Sequence, residues 1–145
     1  MRNEVATIPE LTQRLIAAFE AKDMATIMAC FANDAVMVDP HYPQSRMEGK
    51  AAIEQGISWV LGSMIKPSFT VKHSWVDGES GAIEVDTHHV FKGGMVLDFP
   101  QVFVVETRNG LITRLQSYPP HGPSGIGGLL IAVTRLVWRL QGKLK

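Results

Sequence analysis

Two groups of acidic and histidine side chains have the chemistry needed for proton transfer. Asp39 follows an apolar run that is typical of a β-strand, and it precedes Pro40. Asp86 and His88 alternate on a second predicted strand, so their side chains share one face. A carboxylate can act as a general base, and a histidine can exchange a proton near neutral pH. These three residues are therefore the first candidates for acid–base catalysis.

The helices that would position these residues have recognisable start signals. Thr7 and Glu10 have the spacing of a capping box at the start of a first helix. Asp23 is a typical N-cap for a second helix, whose apolar stripe extends to Phe31. A third helix is predicted to begin near Lys50, after a loop over residues 39–49.

Alternating apolar residues predict the strands of a sheet. A short strand over residues 35–38 comes first, and four more follow between residues 69 and 118. Tight turns at 77–78, 92–94 and 109–110 would connect these four strands. This order predicts an α+β fold, in which three N-terminal helices and a cone-shaped, curved antiparallel sheet enclose a pocket. An extra C-terminal helix is predicted over residues 126–140.

Composition limits the classes of function. The chain has 145 residues, which suits one hydrophobic core, and its 14 basic residues balance its 14 acidic residues. That balance argues against a nucleic-acid partner, which favours a basic excess. With the single cysteine Cys30, and with His88 and His89 on opposite faces of one strand, we predict neither a metal site nor a cofactor. No signal peptide is recognisable, so a cytoplasmic location is expected.

Three segments resemble a known family. The run FANDAVMVDP at residues 31–40 resembles the F-x-x-D-A-x-x-x-D-P segment of ketosteroid isomerases and other SnoaL-like proteins of the nuclear transport factor 2-like superfamily. Residues 47–53 are similar to the helix start of that family, and residues 102–118 to its last hairpin. The resemblance covers about residues 8–120. It implies a SnoaL-like domain over residues 1–122, with residues 123–145 as a helical extension.

The resemblance also implies roles for individual residues. Asp39 occupies the position of the general base of the isomerases, whose chemistry also needs donors at the enolate oxygen. One such donor, an aspartic acid, aligns with Gln101, whose amide can donate. The other, a tyrosine, aligns with Leu15, which cannot. The strand parity of the family places Asp86 and His88 on the concave, pocket-facing side of the sheet.

Limonene epoxide hydrolase, which shares this fold, gives a second comparison. Its acid aspartate aligns with Asp86, but its other catalytic positions are occupied by residues of a different kind, which are Met37, Asp39, Glu84 and Ser117. An epoxide hydrolase-like enzyme therefore stays only a further alternative. Beyond the four catalytic candidates Asp39, Asp86, His88 and Gln101, the residues expected to line the pocket are Leu15, Met37, His41, Tyr42, Trp59, Glu84, Phe103, Leu115 and Ser117.

Three functions remain open for such a chain. The first is a cofactor-free isomerase, cyclase or dehydratase acting on a small apolar or carbonyl-bearing molecule. The second is a non-catalytic binding module with the same pocket, and the third is a protein-interaction module. A homodimer through the sheet is expected, with the face of Ile83, Val85 and Phe91 covered. The basic, amphipathic C-terminal helix is predicted to be a lid or a dimer arm, in preference to a helix on a membrane surface.

Overall fold

The computed structural model describes residues 5–120 and 125–144. Within these ranges the chain forms four helices and seven strands. In chain order they are α1 (Ile8–Glu20), α2 (Met24–Ala29), β1 (Phe31–Val38), β2 (Arg46–Glu48), α3 (Lys50–Ser63), β3 (Met64–Lys66), β4 (Phe69–Asp77), β5 (Ser80–Phe91), β6 (Val96–Arg108), β7 (Leu111–Tyr118) and α4 (Gly125–Leu140). The predicted boundary between residues 122 and 123 lies outside the described ranges.

The predicted helix starts are confirmed by their capping contacts. The Glu10 carboxylate accepts the backbone N–H of Thr7 at 2.9 Å, and the Thr7 hydroxyl accepts the backbone N–H of Glu10, which completes the capping box of α1. The Asp23 carboxylate accepts the backbone N–H of Thr26 at 3.1 Å and caps α2. Because these bonds are local, three or four residues were enough to predict them.

The second helix is shorter than its apolar periodicity predicted. It ends at Ala29, and Phe31 begins β1 instead of extending the helical stripe. Phe31 is opposite Ile112 of β7, and the backbone N–H of Ile112 donates to the Cys30 carbonyl at 2.8 Å. Pairing with a strand that is distant in sequence therefore overrides a local helical pattern. Strand β2, which pairs with β1, likewise forms inside the predicted loop.

The sheet has the strand order β2-β1-β7-β6-β5, and β3 and β4 both pair with the remaining edge of β5. The pairs are antiparallel except for β1 and β7, which run parallel. Asn109 and Gly110 both have positive φ, at 53° and 74°, as expected for the tight turn between β6 and β7. Helices and sheet together form the predicted α+β fold, with a curved, unclosed sheet.

The two faces of the sheet differ in what they contact. The inner face, defined on β5 by Ile83, Val85, Thr87 and His89, belongs to the hydrophobic core beneath α1–α3. The outer face holds the alternate residues of β5, including Glu84, Asp86 and His88. The predicted alternation is correct, but the assignment of the polar residues to the pocket side is wrong. Ile83 and Val85 are fully buried, so the apolar set occupies the inner face.

A register shift in β4 changes which of its residues face inward. The alternation predicted that Phe69, Val71, His73 and Trp75 share one face. The pairing shifts between Val71 and His73, so Phe69 is on the inner face while His73 and Trp75 are on the outer face. Trp75 is 55% exposed as a result.

Close packing of α3 on the segment before it fixes one wall of the interior. At Gly56, an added Cβ would overlap the Met47 Sδ atom and lie 3.1 Å from the Tyr42 Cδ1 atom. Glycine is favoured there, because a side chain would have to move the end of the buried Met47 side chain and would press on Tyr42. This contact holds Tyr42, which precedes β2, against the helix.

Candidate active site

A cavity of about 310 Å³ lies between the helices and the inner face of the sheet. Its wall is mostly apolar, and the residues predicted to provide that wall do so: Leu15, Met37, Trp59, Phe103 and Leu115. Helix α4 also contributes to the lining, through Gly127, Leu130 and Ile131. The volume falls in the range of small-molecule sites, about 300–1,000 Å³.

Asp39 lines this cavity and is 7% exposed. Its Oδ1 atom accepts the backbone N–H of His41 at 2.8 Å, which forms an Asx turn. The same oxygen lies 3.3 Å from the Nδ1 atom of the His41 ring. The carboxylate is thus held at the end of β1 by its own turn. Asp39 therefore combines a turn-forming role with a position in the wall of the cavity.

His41 and Tyr42 also line the cavity, but they differ in exposure. The His41 side chain is 23% exposed and stacks on Phe99, with 5.2 Å between ring centroids. Tyr42 is buried, and this burial, together with the nearby negative charge of Asp39, raises the pKa of its phenol well above 10. The Tyr42 hydroxyl therefore stays protonated at neutral pH and can donate a hydrogen bond.

His89 is a cavity residue that the sequence did not predict for the site. It lines the cavity and is 6% exposed. Burial, as the largest cause, lowers its pKa to about 4, so its ring is neutral at pH 7. The Nδ1 atom accepts the backbone N–H of Ser68 at 3.1 Å, which leaves the ring proton on Nε2. The site thus contains a neutral imidazole whose tautomer is fixed by the backbone.

Aromatic rings hold the imidazole of His89 in place. Phe69 contacts it edge-on, with 4.8 Å between centroids, and Phe19 and Phe91 flank it. Within the described ranges, Nε2 has no hydrogen-bond partner, and it is not a buried unsatisfied atom. A bound ligand can therefore accept a hydrogen bond from this N–H group.

The sequence did contain a signal that could have predicted a cavity position for His89. The residue alternates with Val85 and Thr87, so it lies in the apolar phase of its strand.

Gln101 lies on the inner face of β6 and lines the cavity. Its Nε2 atom donates to the Thr87 hydroxyl at 2.7 Å, and its Oε1 atom accepts the hydroxyl of Ser117. All three side chains are buried. Ser117 is not part of the lining, so it supports Gln101 from behind. Because the amide has two N–H groups, one remains for a ligand after the bond to Thr87.

The structure does not bring Glu84, Asp86 and His88 into the cavity. Their side chains are 38%, 54% and 53% exposed on the outer face. Each is paired with a neighbour there: Glu84 with His73, Asp86 with Lys72, and His88 with Asp98. The prediction that they form the pocket with Asp39 is wrong, because the apolar phase of β5 takes the inner face.

No cluster of three histidine, cysteine or carboxylate side chains suited to a metal ion occurs in residues 5–120 and 125–144. In the same ranges, no helix has the length and apolar character needed to cross a bilayer.

A sequence model of the SnoaL-like domain matches residues 12–115, which is well over half of the chain. The chain belongs to the SnoaL-like family. The matched segment includes Asp39, His89 and Gln101, and it ends before α4.

Among curated proteins, this SnoaL-like chain is similar to YesE of Bacillus subtilis (strain 168). The two are 27% identical over 124 residues, which cover 81% of this chain and 84% of YesE.

Solved structures with the same fold include a hypothetical protein with a ketosteroid isomerase-like fold from Catenulispora acidiphila, in complex with trimethylamine. Its TM-score is 0.71 at 23% identity, with 83% of this chain and 91% of that one covered. Another is the Δ5-3-ketosteroid isomerase of a Mycobacterium species, with a TM-score of 0.68 at 21% identity and coverage of 77% and 91%. At these identities the likeness shows the fold alone.

Proposed function

We propose that this SnoaL-like protein is a cofactor-free proton-transfer enzyme that acts on a small apolar carbonyl compound. The observation that supports this most directly is that a buried carboxylate, Asp39, and a neutral imidazole, His89, line the same mostly apolar cavity. Isomerisation, cyclisation and dehydration of such a compound all need a base and a hydrogen-bond donor, and none needs a cofactor.

The roles follow from the chemistry of the two groups. The Asp39 carboxylate removes a proton from the carbon beside the carbonyl and returns it to another carbon, which completes an isomerisation. The developing enolate oxygen accepts the Nε2–H of His89, with the Tyr42 hydroxyl as a second donor. These donors act in place of the tyrosine of the ketosteroid isomerases, whose position is occupied by Leu15. A donor that is neutral beforehand polarises the carbonyl without a competing proton transfer.

The related structures support a small-molecule ligand in this fold. The Catenulispora protein was solved with a small ligand, and the Mycobacterium protein is named for action on a ketosteroid. The mostly apolar wall of the cavity suits a compact ring system with a single polar group. Asp86 lies outside the cavity, so the epoxide hydrolase-like alternative lacks its acid.

Binding without catalysis is the second candidate, and one observation favours it. The Asp39 Oδ1 atom already accepts the backbone N–H of His41 and lies 3.3 Å from its ring Nδ1 atom, so this oxygen is engaged in its own turn. The substitution Asp39→Asn distinguishes the two candidates. It removes the carboxylate base and preserves the shape of the cavity, so an enzyme would lose its turnover, whereas a binding module would keep its affinity for the ligand.

The test uses a panel of apolar cyclic ketones, up to a Δ5-3-ketosteroid in size. The first ketone that stabilises the wild-type protein against heat is kept as the probe. Proton NMR in D2O then follows exchange of the hydrogens beside its carbonyl. We expect Asp39→Asn to bind the probe normally and to lose at least about 10²-fold in exchange rate. Glu84→Gln, an isosteric change on the outer face, is the matched control. Equal exchange by wild type and Asp39→Asn would leave only the binding module.

We also propose a homodimer through the outer face of the sheet. The face first expected to be covered includes Ile83 and Val85, but these are core residues of one chain. On the outer face, Trp75 is 55% exposed next to the half-buried Ala82 and Val104. Sedimentation velocity of Trp75→Arg tests this proposal, because a charge at that position would separate the subunits. The expected cytoplasmic location stays a prediction.

A further inference from the structure

Helix α4 packs against the cavity with one of its two faces. Ile131 and Trp138 are 8% and 7% exposed, and Ile131 lines the cavity. The Nε atom of Arg135 donates to the Pro43 carbonyl at 3.0 Å and ties the helix to the loop after β1. The helix therefore has a fixed inner face and a defined orientation on the body of the protein.

The opposite face of α4 is apolar and exposed. Its residues repeat at intervals of three and four, so they form one stripe along the helix. The members of this outer stripe, with exposed fractions from 41% to 81%, are Ile126, Leu129, Leu130, Val133, Leu136, Val137 and Leu140. Single exposed aliphatic residues are ordinary, whereas a continuous stripe of this kind marks a binding surface.

Charge indicates which surface the stripe binds. Residues 125–144 contain Arg135, Arg139 and Lys143 and no acidic residue, although the whole chain has a formal net charge of zero. The Nζ atom of Lys143 lies 5.9 Å from the centroid of the Trp138 ring, so this cation is held close to the helix. The basic excess is therefore local to the segment that bears the stripe.

We propose that α4 docks on an anionic lipid surface. The outer stripe would enter the boundary between headgroups and acyl chains, while Arg139 and Lys143 contact the anionic headgroups. A second copy of the chain is a poorer partner, because pairing two such helices would bring two acid-free, basic segments together. The helix would lie along the surface, in keeping with its 16 residues, which are too few to cross a bilayer.

Docking in this way would also orient the cavity. Leu130 belongs to the outer stripe and lines the cavity as well, so the bilayer and the cavity would be separated by one helix. This consequence rests on the proposed function, since only an apolar ligand would gain from a site beside the acyl layer. The docking itself does not rest on it, and it can be tested without any substrate.

The experiment is co-sedimentation of the full chain with vesicles of phosphatidylcholine alone or mixed with phosphatidylserine. We expect the wild type to sediment with the anionic vesicles and to be released by salt. Arg139→Gln/Lys143→Gln should weaken this binding on the order of tenfold, because each basic residue near an anionic surface contributes severalfold. Leu129→Gln/Leu136→Gln should abolish it. Both pairs are exposed, and thermal melting checks that each variant is folded.

The matched control is Val5→Gln/Val71→Gln, which removes two exposed apolar side chains that belong neither to α4, nor to the cavity lining, nor to the outer face of the sheet. This variant should bind vesicles as the wild type does. Wild-type binding that is absent, or equal for both kinds of vesicle, would overturn the proposal. So would a dimer in gel filtration that Leu129→Gln/Leu136→Gln converts to monomer, because the stripe would then bind a second copy.

Discussion

His88 and His89 are neighbours in the chain, yet they lie on opposite faces of β5 and differ in their surroundings. The ring of His88 is half exposed and is paired with Asp98 on the outer face. The ring of His89 is buried among aromatic side chains, and its pKa is lowered to about 4. One residue type therefore contacts a carboxylate at the surface at one position and provides a neutral, buried hydrogen-bond donor at the next.

The comparison extends to the residues on either side. On the inner face, Thr87 and Gln101 form a buried hydrogen-bonded network next to His89. On the outer face, Asp86 and its partner Lys72 are about half exposed, so water solvates both charges. Of these groups, only those on the inner face are removed from water, and removal from water makes a polar group more reactive or more selective. The larger number of charges on the outer face is therefore a poor guide to the site.

The largest expected effect is on turnover when the donor of His89 is removed. His89→Asn keeps an acceptor for the Ser68 N–H but removes the donor at the position of Nε2. We expect the exchange rate of the bound ketone to fall by about 10²–10³, as for loss of one oxyanion donor. His89→Gln, whose longer amide reaches the position of Nε2, should recover part of the rate. His88→Asn is the matched control and should change the rate by less than about twofold. Equal losses at both histidines would contradict the assignment of faces.

The next effect is on stability at acidic pH. The folded pKa of His89 is about 4, below the ordinary value of 6.5, so the unfolded chain binds more protons between these values. The stabilisation present above pH 6.5 is therefore lost as the pH falls towards 4, and the shift corresponds to about 3 kcal/mol in the free energy of unfolding. Urea unfolding of wild type and His89→Asn between pH 7 and pH 4 measures it. The variant should show a smaller loss, and parallel curves would contradict the lowered pKa.

A smaller effect is expected from the support behind Gln101. Ser117→Ala leaves the buried Oε1 atom of Gln101 without its hydroxyl donor. The free energy of unfolding should fall by about 1–3 kcal/mol, the usual cost of an unsatisfied buried acceptor. Ser117→Thr, which keeps the hydroxyl, is the control for the network. Chemical denaturation measures the free energy of unfolding of both variants. An unchanged value for Ser117→Ala would contradict the prediction and would indicate that water replaces the lost hydrogen bond.

Local signals in the sequence predicted much of the fold. The capping box of α1, the N-cap of α2 and the turn at Asn109-Gly110 depend on contacts within a few residues, and all three are confirmed. The pairing of Phe31 with Ile112 and the bulge in β4 depend on partners that are distant in sequence. No periodicity in the chain contains that information, so the end of α2 and the outward turn of Trp75 were missed.

The site was predicted in part, for a related reason. Asp39 and Gln101 were found through motif positions, and the structure places both in the cavity. Asp86 and His88 were predicted to face the pocket from their alternation and from the strand parity of the family, whereas His89 lies in the apolar phase of the same strand. The alternation was correct, but a strand pattern by itself does not say which phase faces the helices. The burial preference of Ile83 and Val85 could have decided it, since isoleucine and valine are among the residues most often buried.

The smallest expected effect, and the sharpest check on the outer face, comes from Asp86. Asp86→Asn removes one charge of the pair with Lys72, whose Nζ atom lies 3.1 Å from the Asp86 Oδ2 atom. Exposed pairs contribute about 0–1 kcal/mol, so the free energy of unfolding should change by less than about 1 kcal/mol. The exchange rate of the bound ketone should stay within about twofold of wild type, because Asp86 does not reach the cavity. A double-mutant cycle with Lys72→Gln isolates the pair itself. A tenfold loss of rate in Asp86→Asn alone would show that this carboxylate takes part in the reaction. The contrast between the two faces of β5 would then no longer hold.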